Sequence, residues 1–154
     1  MKRQLWIAAA VVATDQLVKA LARGMTGPAA LIPGVIGLRY SENTGMAFSL
    51  LSRHTWLLAL LSAALIAAGW LILRRYRLGR LSRVAAMLML GGAVGNLIDR
   101  AFVGHVVDMF EVLLFRFAIF NVADMALTVG CGLLAATLLF CPKDWSLKDG
   151  RTED

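Results

Sequence analysis

Two aspartates are the first candidates for chemistry, because each ends a short polar motif within a very apolar sequence. Asp108 ends the segment Gly104-His105-Val106-Val107-Asp108, and Asp124 ends the segment Phe120-Asn121-Val122-Ala123-Asp124. A carboxylate in an apolar environment is costly, so it is usually retained for a function and usually has a partner. Two neighbouring carboxylates tend to share a proton, because both cannot ionise cheaply. One then takes a proton from an attacking water while the other polarises a carbonyl, as in an aspartic peptidase.

Other catalytic chemistries find little support in the sequence. It has no G-x-S-x-G or H-E-x-x-H motif. His54 and His105 are isolated, and Cys131 and Cys141 lack the spacing of a metal site. We therefore predict no metal and no cofactor. The gap between Asp108 and Asp124 excludes a shared helix face, so the fold has to bring the two carboxylates together.

The composition indicates a membrane protein. The chain has 154 residues, of which 59% are hydrophobic, which is far above the content of an ordinary soluble domain. A helix needs roughly 20 mainly apolar residues to cross a bilayer. Four stretches meet this requirement and predict spans at about 4–22, 55–73, 84–101 and 119–141. The predicted fold class is an all-α membrane protein formed by residues 1–154 as a single domain of four transmembrane helices.

The basic residues predict the orientation of these spans. Lys2 and Arg3 precede the first span, and the connection 74–83 between the second and third spans is rich in arginine. By the positive-inside bias, both segments and hence both termini lie in the cytoplasm. The net charge of +6 reflects this bias, so no nucleic-acid partner is needed to explain it. A cleavable signal peptide is the alternative reading of the N-terminus, but Asp15, Gln16 and Lys19 interrupt the apolar approach to a cleavage site.

With this orientation, polar residues of three spans fall at one depth. Asp15 lies roughly 15 Å above the start of the first span at 1.5 Å per residue, and Lys19 follows one turn later on the same face. Asn96 on the third span and Asn121 and Asp124 on the fourth also fall in the outer half of the bilayer. A shared site explains this convergence better than scattered packing contacts do.

The third span carries a small-residue face next to its polar residues. Gly91 and Gly95 permit a close approach by a neighbouring backbone. Asn96 shares a face with Asp99 and Arg100, and these two residues fit either a site role or an interhelical hydrogen-bond lock. For Asp99 we favour the structural role.

Two outer segments connect the spans. The Gly- and Pro-rich residues around 31–45 predict a small twisted β-element. Residues 46–51 are apolar enough to lie in the membrane interface as a short helix. Residues 101–118 form the second outer segment, which carries Asp108.

Four segments of the chain together resemble the lipoprotein signal peptidases (signal peptidase II), which are bacterial aspartic peptidases of the inner membrane. The segments are Asp15-Gln16-Leu17-Val18-Lys19, Asn43-Thr44-Gly45-Met46-Ala47-Phe48, the run from Gly91 through Asn96-Leu97-Ile98-Asp99-Arg100 to Asp108, and Phe120-Asn121-Val122-Ala123-Asp124. They occur in the expected order, and their combination is highly specific.

The resemblance implies cleavage of a diacylglyceryl-modified prolipoprotein just before its lipid-bearing cysteine, at an active site near the outer face of the membrane. The implied partners are these substrates and membrane lipid. Asp108 and Asp124 match the catalytic pair of the family. Its supporting polar residues match six further positions: Asp15, Lys19, Asn43, Asn96, Arg100 and Asn121. Met109 and the pair Ala118-Ile119 depart from the family pattern, which leaves the shape of the substrate pocket open.

Two other classes of function compete with this interpretation. A small proton-coupled carrier also places Asp and Asn at membrane depth, but no inverted repeat is visible in the sequence. A membrane scaffold explains the glycine-rich face but not two carboxylates within motifs.

Overall fold

The computed structural model describes residues 4–45, 54–115 and 117–147. Within these residues, four helices are long and apolar enough to cross a membrane: α1 (Leu5–Arg23), α2 (Thr55–Leu73), α3 (Arg80–Ile98) and α4 (Val122–Phe140). A π-helical turn, Asp99–Val103, extends α3. The predicted fold class of four apolar helices with a small β-element is confirmed. The predicted interfacial helix at 46–51 lies outside the described residues.

Two of the helices begin at different positions from those predicted. The third begins at Arg80 and not at 84, because Gly79 is the extended residue that precedes it and the arginines of its first turns are helical. The fourth begins at Val122 and not at 119, because Asn121 is extended and caps the helix. Apolarity alone marks neither boundary, since a cap depends on local backbone hydrogen bonds.

The α3 helix lies at the centre of the bundle and packs most extensively against α4 and α1. Glycines permit these close contacts, as predicted for Gly91. A Cβ atom on Gly91 would lie 2.7 Å from the Cβ of Val11, and one on Gly92 would collide with the carbonyl oxygen of Ala123. By contrast, α2 is largely exposed. Its exposed leucines fit contact with lipid, where apolar surface is not penalised.

A three-stranded antiparallel sheet covers one end of the bundle. Its strands are β1 (Ala29–Ile32), β2 (Ile36–Asn43) and β4 (Val106–Val112), in the order β1-β2-β4. Val107 and Met109 of β4 pack against Ala22 of α1, which fixes the sheet to the helices. The sequence predicted the β-element from residues 31–45 alone, whereas the sheet also takes a strand from the second outer segment.

The arginine-rich end of the bundle has a second, two-stranded sheet. Its strands are β3 (Tyr76–Leu78) and β5 (Trp145–Leu147), which pair antiparallel. The backbone N–H of Gly79 donates to the carbonyl of Asp144 at 2.9 Å, and the Trp145 indole donates to Thr137 Oγ1 at 3.3 Å. The segment that follows α4 is thereby joined to the start of α3. This sheet was not predicted from the sequence.

The close contact of α3 with α4 predicts that two glycine-to-alanine substitutions differ strongly in their effect on stability. Gly92→Ala should destabilise the protein by about 1–3 kcal/mol, because the new methyl group meets the backbone of α4. Gly132→Ala is the matched control, since nothing lies within 4 Å of its added Cβ and alanine is the better helix former. Thermal unfolding in detergent should show a lower midpoint for the first variant only. Equal midpoints would contradict the close packing of α3 against α4.

Candidate active site

Asp108 lies on β4 with its side chain turned into the protein. It is 3% exposed, and both of its carboxylate oxygens accept hydrogen bonds. Asn121 Nδ2 donates to Oδ1 at 2.7 Å, and Asn43 Nδ2 donates to Oδ2 at 3.1 Å. Pairing of β2 with β4 places Asn43 opposite Val106, which brings the Asn43 amide within reach of Asp108. The predicted supporting residue Asn43 therefore contacts the candidate catalytic group directly.

Asp124 lies in the first turn of α4, where a capping box fixes it. The Asn121 side-chain oxygen accepts the N–H of Asp124 at 2.9 Å, and the Asp124 carboxylate accepts the N–H of Asn121 at 3.2 Å. A carboxylate is favoured at this position by the helix dipole as well as by the cap. The other oxygen of Asp124 accepts a hydrogen bond from Asn96 Nδ2 at 2.8 Å. Residues of α3 and α4 thus hold Asp124 from two sides.

Asn121 connects the two aspartates. Its side-chain amide donates to Asp108, and its backbone N–H donates to Asp124. The backbone of Phe110 pairs with that of Phe120, which brings Asn121 and the start of α4 alongside β4. Among the described residues, no hydrogen bond joins Asp108 directly to Asp124. The two carboxylates are therefore linked through one residue, Asn121, by its side-chain amide and its backbone N–H.

A buried ion cluster lies beneath this pair. Lys19 Nζ is 2.7 Å from Asp15 Oδ2 and 2.9 Å from Asp99 Oδ2, and all three side chains are fully buried. Lys19 also donates to Asn96 Oδ1 at 3.0 Å, which connects the cluster to the site. The predicted pairing of Asp15 with Lys19 on one face of the first helix is confirmed. No role was predicted for Gln16, although it lies beside Asp15 in one of the segments that resemble the family.

Arg100 stands apart from the other predicted residues. Its guanidinium donates to the carbonyl of Gly45 at 3.3 Å, and the N–H of Gly45 in turn donates to the Asn43 side chain at 3.0 Å. Arg100 therefore holds the turn that follows Asn43. Its positive charge also attracts both Asp108 and Asp124 without a direct hydrogen bond.

Met109, the residue that departs from the family pattern beside Asp108, is buried and packs with Ala22 and Val107. Side chains alternate along a strand, so Met109 points away from the Asp108 carboxylate. This departure changes the core between the sheet and α1. It does not change the lining around the two carboxylates.

Burial raises the pKa of Asp108 to about 6, and repulsion from the Asp124 carboxylate adds to the shift. Hydrogen bonds from Asn43 and Asn121 and the charge of Lys19 act in the opposite direction. Asp108 is therefore suited to carry a proton at mildly acidic pH beside a second carboxylate. No group of three or more His, Cys, Asp and Glu side chains that could hold a metal ion occurs within the part of the chain described.

Comparisons with known proteins agree with the geometry. Residues 7–140 match the family model described as signal peptidase (SPase) II. The chain is 40% identical over 136 residues to a lipoprotein signal peptidase of Brevibacillus brevis, covering 83% of this chain and 89% of the relative. It is 39% identical over 143 residues to the lipoprotein signal peptidase of Geobacillus kaustophilus, covering 88% and 92%. The structure of a bacterial membrane enzyme, solved by the in meso method at 2.3 Å resolution, superposes with a TM-score of 0.85 at 27% identity, covering 98% of this chain and 96% of that one.

Proposed function

Because the chain belongs to the signal peptidase II family, we propose that it removes the signal peptides of bacterial prolipoproteins by aspartic catalysis, with Asp108 and Asp124 as the catalytic pair. One observation carries the aspartic assignment. Two carboxylates from separate elements, β4 and α4, converge on Asn121, and each of their four oxygens accepts a hydrogen bond. This arrangement holds both groups in place.

The proposed reaction divides the two roles between the aspartates. Asp124 takes a proton from a water molecule as that water attacks the scissile carbonyl. Asp108, whose pKa is raised to about 6, carries the shared proton and polarises the carbonyl oxygen. The tetrahedral species then collapses as Asp124 gives the proton it took from water to the leaving amine, so the peptide bond breaks and the pair returns to its starting protonation. No covalent intermediate with the protein is required.

The proposed substrate is a precursor with a diacylglyceryl cysteine, cleaved immediately before that residue. Its acyl chains have to stay in the bilayer while the peptide bond reaches the aspartates, which favours a site near one membrane face. The sheet β1-β2-β4 lies at the same end of the bundle as Asp108 and Asn121, and it carries exposed apolar side chains such as Leu31 and Ile32. These side chains suit contact with the lipid surface beside the substrate.

Purified protein in detergent, incubated with a lipidated precursor, tests this function. We expect the precursor to be shortened, whereas a precursor with serine in place of the lipidated cysteine should stay intact. A carrier or a scaffold would leave both precursors at full length. Cleavage of the lipidated precursor that persists without either aspartate would keep the peptidase function and overturn the aspartic mechanism.

The raised pKa of Asp108 predicts the pH dependence of cleavage. Below about pH 6 Asp108 is protonated and can polarise the carbonyl, and above this value it ionises and the pair loses its shared proton. We therefore expect kcat/KM to fall as the pH rises through about 6 in the free enzyme. The corresponding fall in kcat should occur at higher pH, because bound substrate buries Asp108 further. A value of kcat/KM that rises through this interval would contradict the role of Asp108 as the acid.

We also propose that both termini lie in the cytoplasm and that the sheet β1-β2-β4 lies on the outer face of the bacterial inner membrane. The exposed arginines 74, 75, 77 and 80 lie at the opposite end of the bundle from this sheet, in accord with the positive-inside bias.

Cysteine labelling in intact cells or right-side-out vesicles tests the orientation. With Cys131 and Cys141 replaced by serine, Arg39→Cys should react rapidly with a membrane-impermeant thiol reagent applied from outside. Arg77→Cys is the matched control, since both positions are exposed arginines on β-strands. It should react only after the membrane is permeabilised. External labelling at position 77 would reverse the topology.

A further inference from the structure

Asp15 and Asp99 are buried aspartates outside the proposed catalytic pair, and they have matching environments. Both are 0% exposed, and both form an ion pair with Lys19. Arg23, at 3.6 Å from Asp99 Oδ1, supplies a second positive charge from the end of α1. Buried charges are costly unless paired and hydrogen-bonded, so this cluster has to make good contacts to persist.

Each of these aspartates also accepts a backbone N–H from the residue just before a catalytic aspartate. Asp15 Oδ1 accepts the N–H of Ala123 at 2.9 Å, and Ala123 precedes Asp124. Asp99 Oδ2 accepts the N–H of Val107 at 3.2 Å, and Val107 precedes Asp108. The two contacts hold α4 and β4, which are the two elements that carry the catalytic carboxylates.

These backbone contacts are suited to fixing a distance. Hydrogen bonds to an ionised acceptor are shorter and stronger than neutral ones. The N–H of Ala123 belongs to the first turn of α4, where backbone donors have no partner within the helix. Asp15 supplies that partner from α1, so the start of α4 is tied to another helix directly beside Asp124.

Gln16 joins the two anchors to each other. Its side-chain Nε2 lies 3.2 Å from Asp15 Oδ2, 3.3 Å from Asp99 Oδ1 and 3.2 Å from the carbonyl oxygen of Gly95. Through Gln16 and Lys19, a displacement of either carboxylate is transmitted to the other. The cluster thus connects α1 and α3 to both catalytic elements in a single network.

We propose that Asp99 and Gln16 are positioning residues that, with Asp15 and Lys19, set the separation of the Asp108 and Asp124 carboxylates. This proposal rests on the proposed function of these two aspartates. Asp99 and Gln16 touch no reacting atom. They act on Asp108 through the backbone of Val107 and on Asp124 through Asp15 and the backbone of Ala123.

Three variants separate positioning from general stability. Asp99→Asn removes the charge that holds the N–H of Val107, and Gln16→Met removes the amide that joins the two anchors at nearly constant volume. Glu111→Gln is the matched control. It makes the same carboxylate-to-amide change on β4, but in a partly exposed ion pair with Arg39.

The first test is the rate of cleavage per folded molecule. Asp99→Asn and Gln16→Met should lower kcat by about 10- to 100-fold with KM changed by less than about twofold, because misplacement of reacting groups by about 1 Å costs rate. The control should keep the wild-type kcat. Gln16 is only half-buried and uncharged, so the rate of Gln16→Met can still be measured if Asp99→Asn does not fold.

The second test is independent of catalysis. The titration of Asp108 is followed by NMR in detergent with ¹³C-labelled aspartate. The carboxyl signal of Asp108 is assigned as the one that is missing in Asp108→Asn. Its charged neighbours are Asp124 from α4, Lys19 from α1 and Arg100 from the π-helical turn, so its midpoint reports their distances. Asp99→Asn and Gln16→Met should shift this midpoint, and Glu111→Gln should not.

The outcomes distinguish the two proposals. Wild-type kcat and an unchanged Asp108 midpoint in the folded variants would overturn the positioning role, even if their melting temperatures fall. Cleavage by Asp108→Asn would instead overturn the aspartic mechanism, while the titration of Asp108 would still decide whether Asp99 and Gln16 set its environment.

Discussion

Replacement of either Asp108 or Asp124 by asparagine is expected to reduce precursor cleavage by at least about 10³-fold, to the background of the assay. Asparagine keeps the size of the side chain but cannot ionise or hold an exchangeable acidic proton. In the proposed mechanism one aspartate is the base and the other carries the proton, so neither can substitute for the other. The double variant should be no less active than the single ones, because residues that act as a unit are not additive.

Both variants should remain inserted and folded. Asp108 accepts its hydrogen bonds from two amides, and asparagine retains one oxygen that can accept one of them. At Asp124, asparagine keeps a side-chain oxygen that can accept the N–H of Asn121. Glu111→Gln, on the same strand as Asp108, is the control for loss of a carboxylate outside the site. Turnover near that of the wild type in either purified, folded variant would refute the catalytic assignment.

Several elements of this fold could be predicted because their signals are local. Four apolar runs predict four helices, since the bilayer dictates the length of a span. Asp15 and Lys19 are one turn apart, so helical geometry alone brings them together, at 2.7 Å in the structure. Gly91 indicated a close contact between helices, because a glycine on a helix face lets a neighbouring backbone approach. In each case one element contains the whole signal.

The sheet could not be predicted in full because its pairing is not local. Val106–Val112 of β4 pairs with β2 across the whole of α2 and α3. The first four residues of this strand are all buried, so the alternation of polar and apolar residues that marks a half-exposed strand is missing. The sequence therefore contained no sign that Val106–Val112 forms a strand that pairs with β2.

The site was predicted by residue type but not by its connections. Asn121 and Asp124 have the spacing of a capping box, and this spacing could have predicted the start of α4. The contacts of Asp15 with Ala123 and of Asp99 with Val107 were not readable, because every non-proline residue has a backbone N–H. Which donor a buried carboxylate accepts depends on the packing of separate elements.

The second large effect is a loss of stability when a charge is removed from the buried cluster, and this loss should be larger at Lys19 than at Asp15. Lys19→Met should destabilise the protein by about 3–5 kcal/mol, because it leaves Asp15 and Asp99 buried without their shared cation. Asp15→Asn should cost less, since Lys19 keeps its ion pair with Asp99 at 2.9 Å. Cleavage should fall in both variants. Asp15→Asn weakens the contact that anchors the start of α4, and Lys19→Met removes the cation that holds both anchoring carboxylates in place.

A double-mutant cycle with Asp15→Asn and Lys19→Met tests this order through melting temperature in detergent and through cleavage rate. The double variant should be less destabilised than the sum of the single ones, because removal of Asp15 takes away one of the two anions that Lys19→Met leaves unpaired. Some cost should remain, since the partly exposed Arg23, at 3.6 Å, is then the one cation paired with Asp99 among the described residues. Strictly additive effects would mean that Asp15 and Lys19 do not interact energetically despite their contact. A larger loss of stability for Asp15→Asn than for Lys19→Met would give the opposite order. The main contribution of this cluster would then be the hydrogen bond from the N–H of Ala123 to Asp15, and not the neutralisation of two buried aspartates.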